Sequence, residues 1–465
     1  MTSRPAPAPS ATPSPSTSLL TDMYELTMLQ GALRSGRAER RSVFELFGRS
    51  LPASRRFGVV AGTGRLLDAI EAFTFTPEQI DFLHRTHVVD DTTLDYLRDY
   101  RFSGNVRGYA EGECYFSGSP LLTVEGTFAE ACILETVALS IFNYDCAVAS
   151  AASRMTIAAH GRPCADFGAR RAEEQAAVAA ARAAVVGGFT STSNLEAGMR
   201  YDIPTVGTSA HSFTLLHDSE AEAFAAQVAA LGPGTTILVD TYNIERGITR
   251  AVQAARDGGG ELGAVRLDSG DLVAEAFKAR KQLDDLGATS TRITVTNDLD
   301  EYAIAALGAA PVDSYGVGTK LVTGSGRPTA ALVYKLVERV DDDGVMQEVA
   351  KFSAGGKATV GGRKWAGRVL DARGTAVEEL VVSAREEGEA LAALEEAGAR
   401  PLQVDLVRNG EIVEEHRGPQ ALKAAAERHR ASRAELPYDA WRLSEGEPAV
   451  PTRHLDLDGR KTLQG

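Results

Sequence analysis

The sequence is short of features that would place it in several classes of protein. It holds only four cysteines in 465 residues, and Cys114, Cys132, Cys146 and Cys164 stand too far apart for a zinc knuckle or a Cys-x-x-Cys redox pair. A reducing, cytoplasmic compartment is the simplest setting for them. No apolar run approaches the roughly 20 residues needed to cross a bilayer, which predicts a soluble chain. Residues 1–18, MTSRPAPAPSATPSPSTS, lack the apolar core of a secretion signal and are rich in Pro, Ser and Ala, so they read as a disordered arm. Positive charge is scarce too: 49 Lys and Arg face 63 Asp and Glu, a formal net charge of −14. Such a chain repels nucleic acid and anionic membrane at long range, and neither is expected as a partner. Any anionic ligand must therefore meet locally placed arginines and lysines. No Gly-x-Gly-x-x-Gly follows the first strand and no His-x-x-x-His occurs, which argues against a dinucleotide fold and a histidine-ligated metal.

What is present has the balance of a globular protein, with 44% hydrophobic and 24% charged residues and length enough for two or three domains. TDMYELTMLQGAL offers Thr21 or Asp22 as a helix N-cap, followed by apolar Leu26, Met28 and Leu29. SVFELFGRSLP, from Ser42, reads as a strand, and residues 101–126 read as short strands punctuated by glycines. A long helical stretch follows, from about Phe128 to His160, closed by Gly161 and Pro163. The pattern then changes. PCADFGARR, GGFTSTSN, PTVGTSAHS, TTILVDTYN, AVRLDSGD, RITVTNDL and DSYGVGTKL are short apolar runs that each end in polar or glycine residues, separated by Ala-rich helices. Repeated βα units imply parallel strands whose carboxyl ends share one rim, where (β/α) barrels hold their active sites. An open doubly wound sheet would instead gather function at one switch point. The predicted fold is α/β: an irregular (β/α) barrel over 127–344, with a smaller α+β domain from 19–126 onto which 345–465 packs back. GGKATVGGRKWAGR, from Gly355, reads as hairpin material, and two more helices are expected near 383–397 and 420–434.

The strand ends carry the chemistry. In VRLDSGD, Arg266 and Asp268 lie two apart and so share a face, while Asp271 suits a helix cap. Such charges are expensive in a barrel mouth unless they meet each other or a ligand. Asp240 of VDTYN and Asp298 of TNDLD add carboxylates to the same rim, a density that suits Mg²⁺ carrying phosphates. SYGVGTKLVTGSGR places Gly316, Gly318, Thr319 and Thr323 where successive N–H groups of a turn can converge on a phosphate. His211 of GTSAHSF has three readings: core packing, metal ligand or catalyst. It lacks companion ligands, and Gly207, Thr208, Ser209 and Ser212 make its surroundings polar, so the imidazole is read as a phosphoryl acceptor or proton shuttle.

Together TDMYELTMLQGAL, FELFGRSLP, EGECYFSGSPLLTVEGTFAEACILET, ADFGARRA, GGFTSTSNLEAG, GTSAHSF, LVDTYN, VRLDSGDL, TNDLDEY, DSYGVGTKLVT, VYKLVE and LPYDAWRL closely resemble the nicotinate phosphoribosyltransferase family, from about residue 19 to 443. The resemblance implies that nicotinate attacks the anomeric carbon of phosphoribosyl pyrophosphate to give nicotinate mononucleotide and pyrophosphate, in the salvage route to NAD. It further implies ATP hydrolysis coupled through a phosphohistidine at His211, and a homodimer with shared sites. Asp268 and Asp240 then serve the Mg²⁺ and sugar side. Phe167 and Tyr24, the latter from the neighbouring subunit, resemble the residues that sandwich the pyridine ring. Arg266 and Thr208 resemble contacts to nicotinate or its ribose phosphate. Arg170 or Arg171 meets phosphate or carboxylate, and Arg49 and Lys351 are candidates to cross between subunits.

Nicotinamide phosphoribosyltransferase carries an aspartate in the stretch similar to GGFTSTSN, whereas Thr190, Ser191, Thr192, Ser193 and Asn194 bring no carboxylate to repel an anionic substrate. Nicotinate is thus expected over nicotinamide; a nicotinamide or quinolinate enzyme on the same fold is the alternative. A Schiff-base aldolase would need Lys320, and a catalytically dead ligand-binding regulator would not need His211 and Asp268.

Overall fold

The computed structural model describes residues 15–351 and 360–457. Most of the Pro-rich arm and residues 352–359, which include the start of the expected hairpin, lie outside that range. The last residues of the arm are ordered, contrary to the sequence reading. Ser18 is buried, Thr17 Oγ1 donates to the Ala69 carbonyl (2.6 Å), and Ser16 Oγ donates to the Thr74 carbonyl (2.5 Å), so the hydroxyls satisfy carbonyls at and just past the end of a helix.

The first layer is antiparallel. Helix α1 (Met23–Arg34) buries Leu26 and Leu29, while Met28 stays exposed. Strands β1 (Arg41–Gly48), β2 (Asn105–Tyr109) and β3 (Pro120–Thr127) follow. The predicted long helix is broken at Ile133 and Leu134 into Phe128–Cys132, which starts at a capping box formed by Thr127 and Glu130, and α2 (Glu135–Ala158). Alanines along α2 let it pack closely against both hydrophobic cores.

The second layer holds the seven predicted strand segments. Strand β4 (Cys164–Asp166) leads to α3 (Glu174–Val186), β5 (Ser191–Thr192) and a helix, Leu195–Tyr201; Thr205 then bridges in parallel to Thr192. After α4 (His211–Leu216) come β6 (Thr236–Leu238), α5 (Ile244–Asp257), β7 (Ala264–Leu267), α6 (Leu272–Asp285), β8 (Arg292–Val295), α7 (Glu301–Ala306) and β9 (Ser314–Val317). The order is β5-β4-β9-β8-β7-β6, every pairing parallel. The sheet curls into a half-barrel and is not hydrogen-bonded between its two edges, Thr205 and β6.

Strand β10 (Leu332–Val340), placed by the sequence reading in the barrel segment, pairs along β1, so the chain rejoins the first layer before residue 344. With β11 (Met346–Glu348) it completes one edge of a seven-stranded antiparallel sheet. The C-terminal segment divides. Strands β12 (Lys364–Leu370), β13 (Ala376–Ser383), β14 (Ala399–Pro401) and Thr452–Asp456 form a sheet of their own, while β15 (Gln403–Arg408) joins β2. Helix α8 (Gly418–Ala434) packs on α3.

Candidate active site

Alternation along the parallel strands decides what lies inside. Ile237, Val265, Ile293 and Val295 face the helices and are buried, while their neighbours in sequence face the barrel interior. Many of those inward positions are small: Ala165, Ser191, Thr236, Ala264, Thr294 and Ser314, with Leu238, Arg266 and Arg292 the larger inward side chains on the same strands. A barrel interior is ordinarily filled by branched side chains. Here it is hollow, a cavity of about 500 Å³ that runs from the carboxyl rim, at His211 and Asp268, to the strand beginnings at Arg292 and Pro163.

The functional side chains stand one or two residues beyond the strand ends. Asp240 is two residues past β6 and its side chain is 1% exposed. One oxygen lies 3.0 Å from His211 Nε2; the other accepts the Asp268 N–H (2.9 Å) and the Ser269 hydroxyl (2.7 Å). An ionised carboxylate can only accept, so Nε2 donates in this contact, and in the neutral ring the lone pair then lies on Nδ1. The imidazole, 43% exposed, is the first residue of α4, and this hydrogen bond spans the rim between the two open edges of the sheet. Contacts on both oxygens fit Asp240 to the task of orienting His211.

Asp268, one residue past β7, accepts a short hydrogen bond from Thr296 Oγ1 and lies 3.6 Å from Arg266 Nη2. Thr296 also accepts from Arg266 Nε (3.1 Å), so one hydroxyl locks the acid and the base side by side. Among the described residues Asp268 Oδ2 has no partner, and Asp268 lines the cavity. That free oxygen fits a single protein ligand to a hydrated Mg²⁺. Among the described residues no group of three or more His, Cys, Asp or Glu could hold a metal by itself.

Phe167, one residue past β4, lies flat beneath Arg266, whose guanidinium carbon is 5.7 Å from the ring centroid. The seat for this ring is made by Gly316: a Cβ there would come within 2.6 Å of the Phe167 ring and of Thr296 Cγ2. Gly316 was expected to cradle phosphate, and the structure gives it this packing role instead. Buried Asp166 braces the same corner by accepting from Thr192 Oγ1 (2.7 Å) and the Gly168 N–H (2.8 Å); burial raises its pKa, and these donors offset part of the shift.

Arg170 and Thr208 line the cavity and Arg171 does not. Asn194, expected at the substrate, caps the helix Leu195–Tyr201 by accepting from the Ala197 N–H (3.0 Å), and the wall is formed by Thr190, Ser191 and Ser193 instead. Thr323 Oγ1 is engaged by the Thr319 carbonyl (2.8 Å), and neither they nor Gly318 reach the cavity wall, although Gly318 stands one residue past β9. Tyr24, Arg49 and Lys351 are exposed away from the cavity, as is Lys320, so no lysine lines it. Asp271 caps α6 through the Ala274 N–H (3.2 Å). Thr296, Ser269 and Asp166 brace the site and were not singled out by the sequence reading. Asn297 and Asp298 hold successive φ of 98° and 38°, a costly backbone for residues other than glycine and one concentrated at functional sites.

Residues 19–143 match the nicotinate phosphoribosyltransferase (NAPRTase) N-terminal domain, and residues 163–354 match the NAPRTase family. The chain is 54% identical over 446 residues to nicotinate phosphoribosyltransferase pncB1 of Mycobacterium tuberculosis, covering 94% of this chain and 95% of that one. The chain belongs to the nicotinate phosphoribosyltransferase family. The Bacillus subtilis nicotinate phosphoribosyltransferase is 38% identical over 363 residues, 77% of this chain and 74% of its own. The crystal structure of human nicotinic acid phosphoribosyltransferase superposes with a TM-score of 0.77 at 25% identity, over 93% of this chain and 98% of that one. The half-barrel with its added sheets is therefore the family fold, and the hollow rim described above belongs to its catalytic part.

Proposed function

We propose that this protein is a nicotinate phosphoribosyltransferase that joins the pyridine nitrogen of nicotinate to the anomeric carbon of phosphoribosyl pyrophosphate and releases pyrophosphate. The observation that carries this reading is the convergence of Phe167, Arg266 and Asp268 on one cavity deep enough for a base and a sugar phosphate. The pyridine ring rests on Phe167, and Arg266 and Arg170 meet the carboxylate and phosphate, because a guanidinium grips either anion in two places. As the carbon–oxygen bond to pyrophosphate breaks, positive charge develops on the sugar, and Asp268 is the one carboxylate facing it across the cavity. Mg²⁺, when bound, screens the charge of the departing phosphates. Thr190, Ser191 and Ser193 can solvate the substrate carboxylate, which no acid in that wall repels.

The coupling to ATP belongs to the same proposal. His211 Nδ1 attacks the γ-phosphorus, the bond to the ADP oxygen breaks, and Asp240 stabilises the positive charge left on the ring; water later hydrolyses the phosphohistidine. This fits the tautomer that Asp240 imposes. The enzyme works in the cytoplasm, in the salvage of nicotinic acid to NAD, as a homodimer that completes each cavity with Tyr24 of the partner. Leu195 and Met199 on the helix after β5, Leu216 at the end of α4, and Met23 and Tyr24 on α1 are exposed apolar side chains that fit such a contact. Lys351 and Arg49 cross with it. Among the described residues no helix is long and apolar enough to cross a membrane.

Mononucleotide formation from nicotinate, nicotinamide and quinolinate, measured side by side, tests the transfer; preference for nicotinamide or quinolinate would refute it. Incubation with γ-labelled ATP tests the coupling: acid-labile, alkali-stable label lost in His211→Ala supports it, and absence of label during turnover refutes it.

A further inference from the structure

A second cavity, of about 370 Å³, opens at the other end of the parallel strands, between the segments that lead into β4 and β5 and the helix α8. Four cations line it: Arg162 ahead of β4, and Lys423, Arg430 and Arg433 on α8. Glu427 is the only acid in its wall. None of the four cations has a carboxylate within 4 Å among the described residues. Arg162 donates to the carbonyls of Leu307 (3.3 Å) and Gly308 (3.0 Å) and to the Tyr315 hydroxyl (2.8 Å). Arg433 donates to the Ser153 carbonyl (3.4 Å) and to Thr156 Oγ1 (2.9 Å). Elsewhere the chain treats a sheltered arginine differently: Arg154, Arg182, Arg368 and Arg400 each lie within 3.5 Å of a glutamate. In a protein of net charge −14, carboxylates are plentiful, so a cavity with four unpaired cations and one acid is a marked departure.

We propose that this cavity is an anion site separate from the rim, shaped for a compact phosphorylated molecule such as a polyphosphate or a small phosphate ester. Several converging cations meet the two or more charges of such a ligand, and Arg433, already sheltered and held in place by Thr156, supplies a guanidinium whose hydration is partly stripped. Burial and the neighbouring Arg433 charge push the His429 imidazole down to about 3, and its two nitrogens are engaged by Gly112 and Ser153. It is therefore a neutral part of the wall. Pro163 and Thr190 line both this cavity and the catalytic one, so a ligand here touches the roots of the strands that carry Phe167 and Ser193 at the rim.

Inorganic tripolyphosphate is titrated calorimetrically at low salt into the full chain carrying Arg266→Ala, which removes one of the arginine contacts of the catalytic cavity. Adding Lys423→Ala and Arg430→Ala, both at exposed positions, should weaken binding at least tenfold. Adding Lys278→Ala and Lys281→Ala on α6 changes the net charge equally and should leave the affinity within twofold. Absence of saturable binding in Arg266→Ala, an unchanged isotherm with the α8 pair removed, or equal weakening by the α6 pair would each overturn the proposal.

Discussion

Replacing Gly316 with alanine tests whether the glycine serves the pyridine seat or a phosphate. The added Cβ would stand 2.6 Å from Phe167 Cδ2, from Cε2 and from Thr296 Cγ2, about 1 Å inside ordinary van der Waals contact. Neither neighbour can yield freely: the ring lies under Arg266, and the Thr296 hydroxyl joins Arg266 to Asp268. A ring displaced by about 1 Å should lower kcat/KM for nicotinate roughly 10- to 100-fold, the penalty associated with that degree of misplacement. Overpacking should cost about 1–3 kcal/mol of stability. Steady-state rates with nicotinate varied at saturating phosphoribosyl pyrophosphate, and then the reverse, separate the two roles, while urea denaturation follows the stability. A raised KM for phosphoribosyl pyrophosphate with nicotinate kinetics unchanged would refute the reasoning and return Gly316 to a phosphate cradle.

Asp240→Asn keeps the shape but lets the amide nitrogen face His211 and favour the wrong tautomer; phosphorylation of His211 should fall by at least 100-fold, read as labelled enzyme after a short exposure to γ-labelled ATP, and retention of wild-type labelling would exclude the orienting role. Thr296→Val deletes the hydroxyl shared by Arg266 and Asp268, and kcat should drop about tenfold or more while His211 labelling persists; equal loss of both activities would contradict the separation. Glu25 is buried on α1, and burial raises its carboxyl to about 7 from an ordinary 4.5, against the opposing pull of Thr21 and Thr136. Its neutral form is the one the fold favours, so its contribution is full below pH 4.5 and lost as pH rises through 7, up to about 3 kcal/mol by linkage. Denaturation midpoints at pH 5 and pH 8 should therefore differ less in Glu25→Gln than in the wild type, and identical slopes would rule this out.

Much of the catalytic half was legible because parallel strands announce themselves by short apolar runs with polar ends. All seven segments took their places, and Asp271 caps its helix as its spacing suggested. What was hidden depended on distance in three dimensions. The run DSYGVGTKL looks like an anion-binding turn, yet the need for Gly316 comes from Phe167, some 150 residues earlier in the chain. Asn194 was read as a substrate contact because GGFTSTSN sets hydroxyl and amide groups, with no carboxylate, beside an anionic substrate, while its place before LEAGMRY equally suits an N-cap, and the helix took it. The join at β10 was misplaced because VYKLVERV is as apolar as a barrel strand, and only its antiparallel partner β1 decides its layer. The hollow interior did have a signal: Ala165, Ser191, Thr236, Ala264, Thr294 and Ser314 put a small side chain on the inner face of each parallel strand, where a packed barrel would carry Val or Leu.

That hollow also explains why the rim network is so tightly braced. A closed barrel filled by side chains fixes its strand ends by packing from within, but here the sheet has two unpaired edges and an interior cavity. The rim must therefore be held from above by polar contacts between consecutive strand ends. Asp166 ties β4 to β5, Thr296 ties β8 to β7, and Asp240 ties β6 to β7 and to His211 across the gap. Each tie is a charged or hydroxyl group that is also exposed to, or one contact removed from, the reacting molecules. Binding and rim order are then coupled: a substrate anion that draws Arg266 toward itself also pulls on Thr296, Asp268 and, through the Asp268 N–H, the carboxylate that orients His211. Thr296 and Asp240, two of the three ties that brace the rim, thereby connect the Arg266 and Asp268 side of the cavity to the imidazole proposed to take the phosphoryl group.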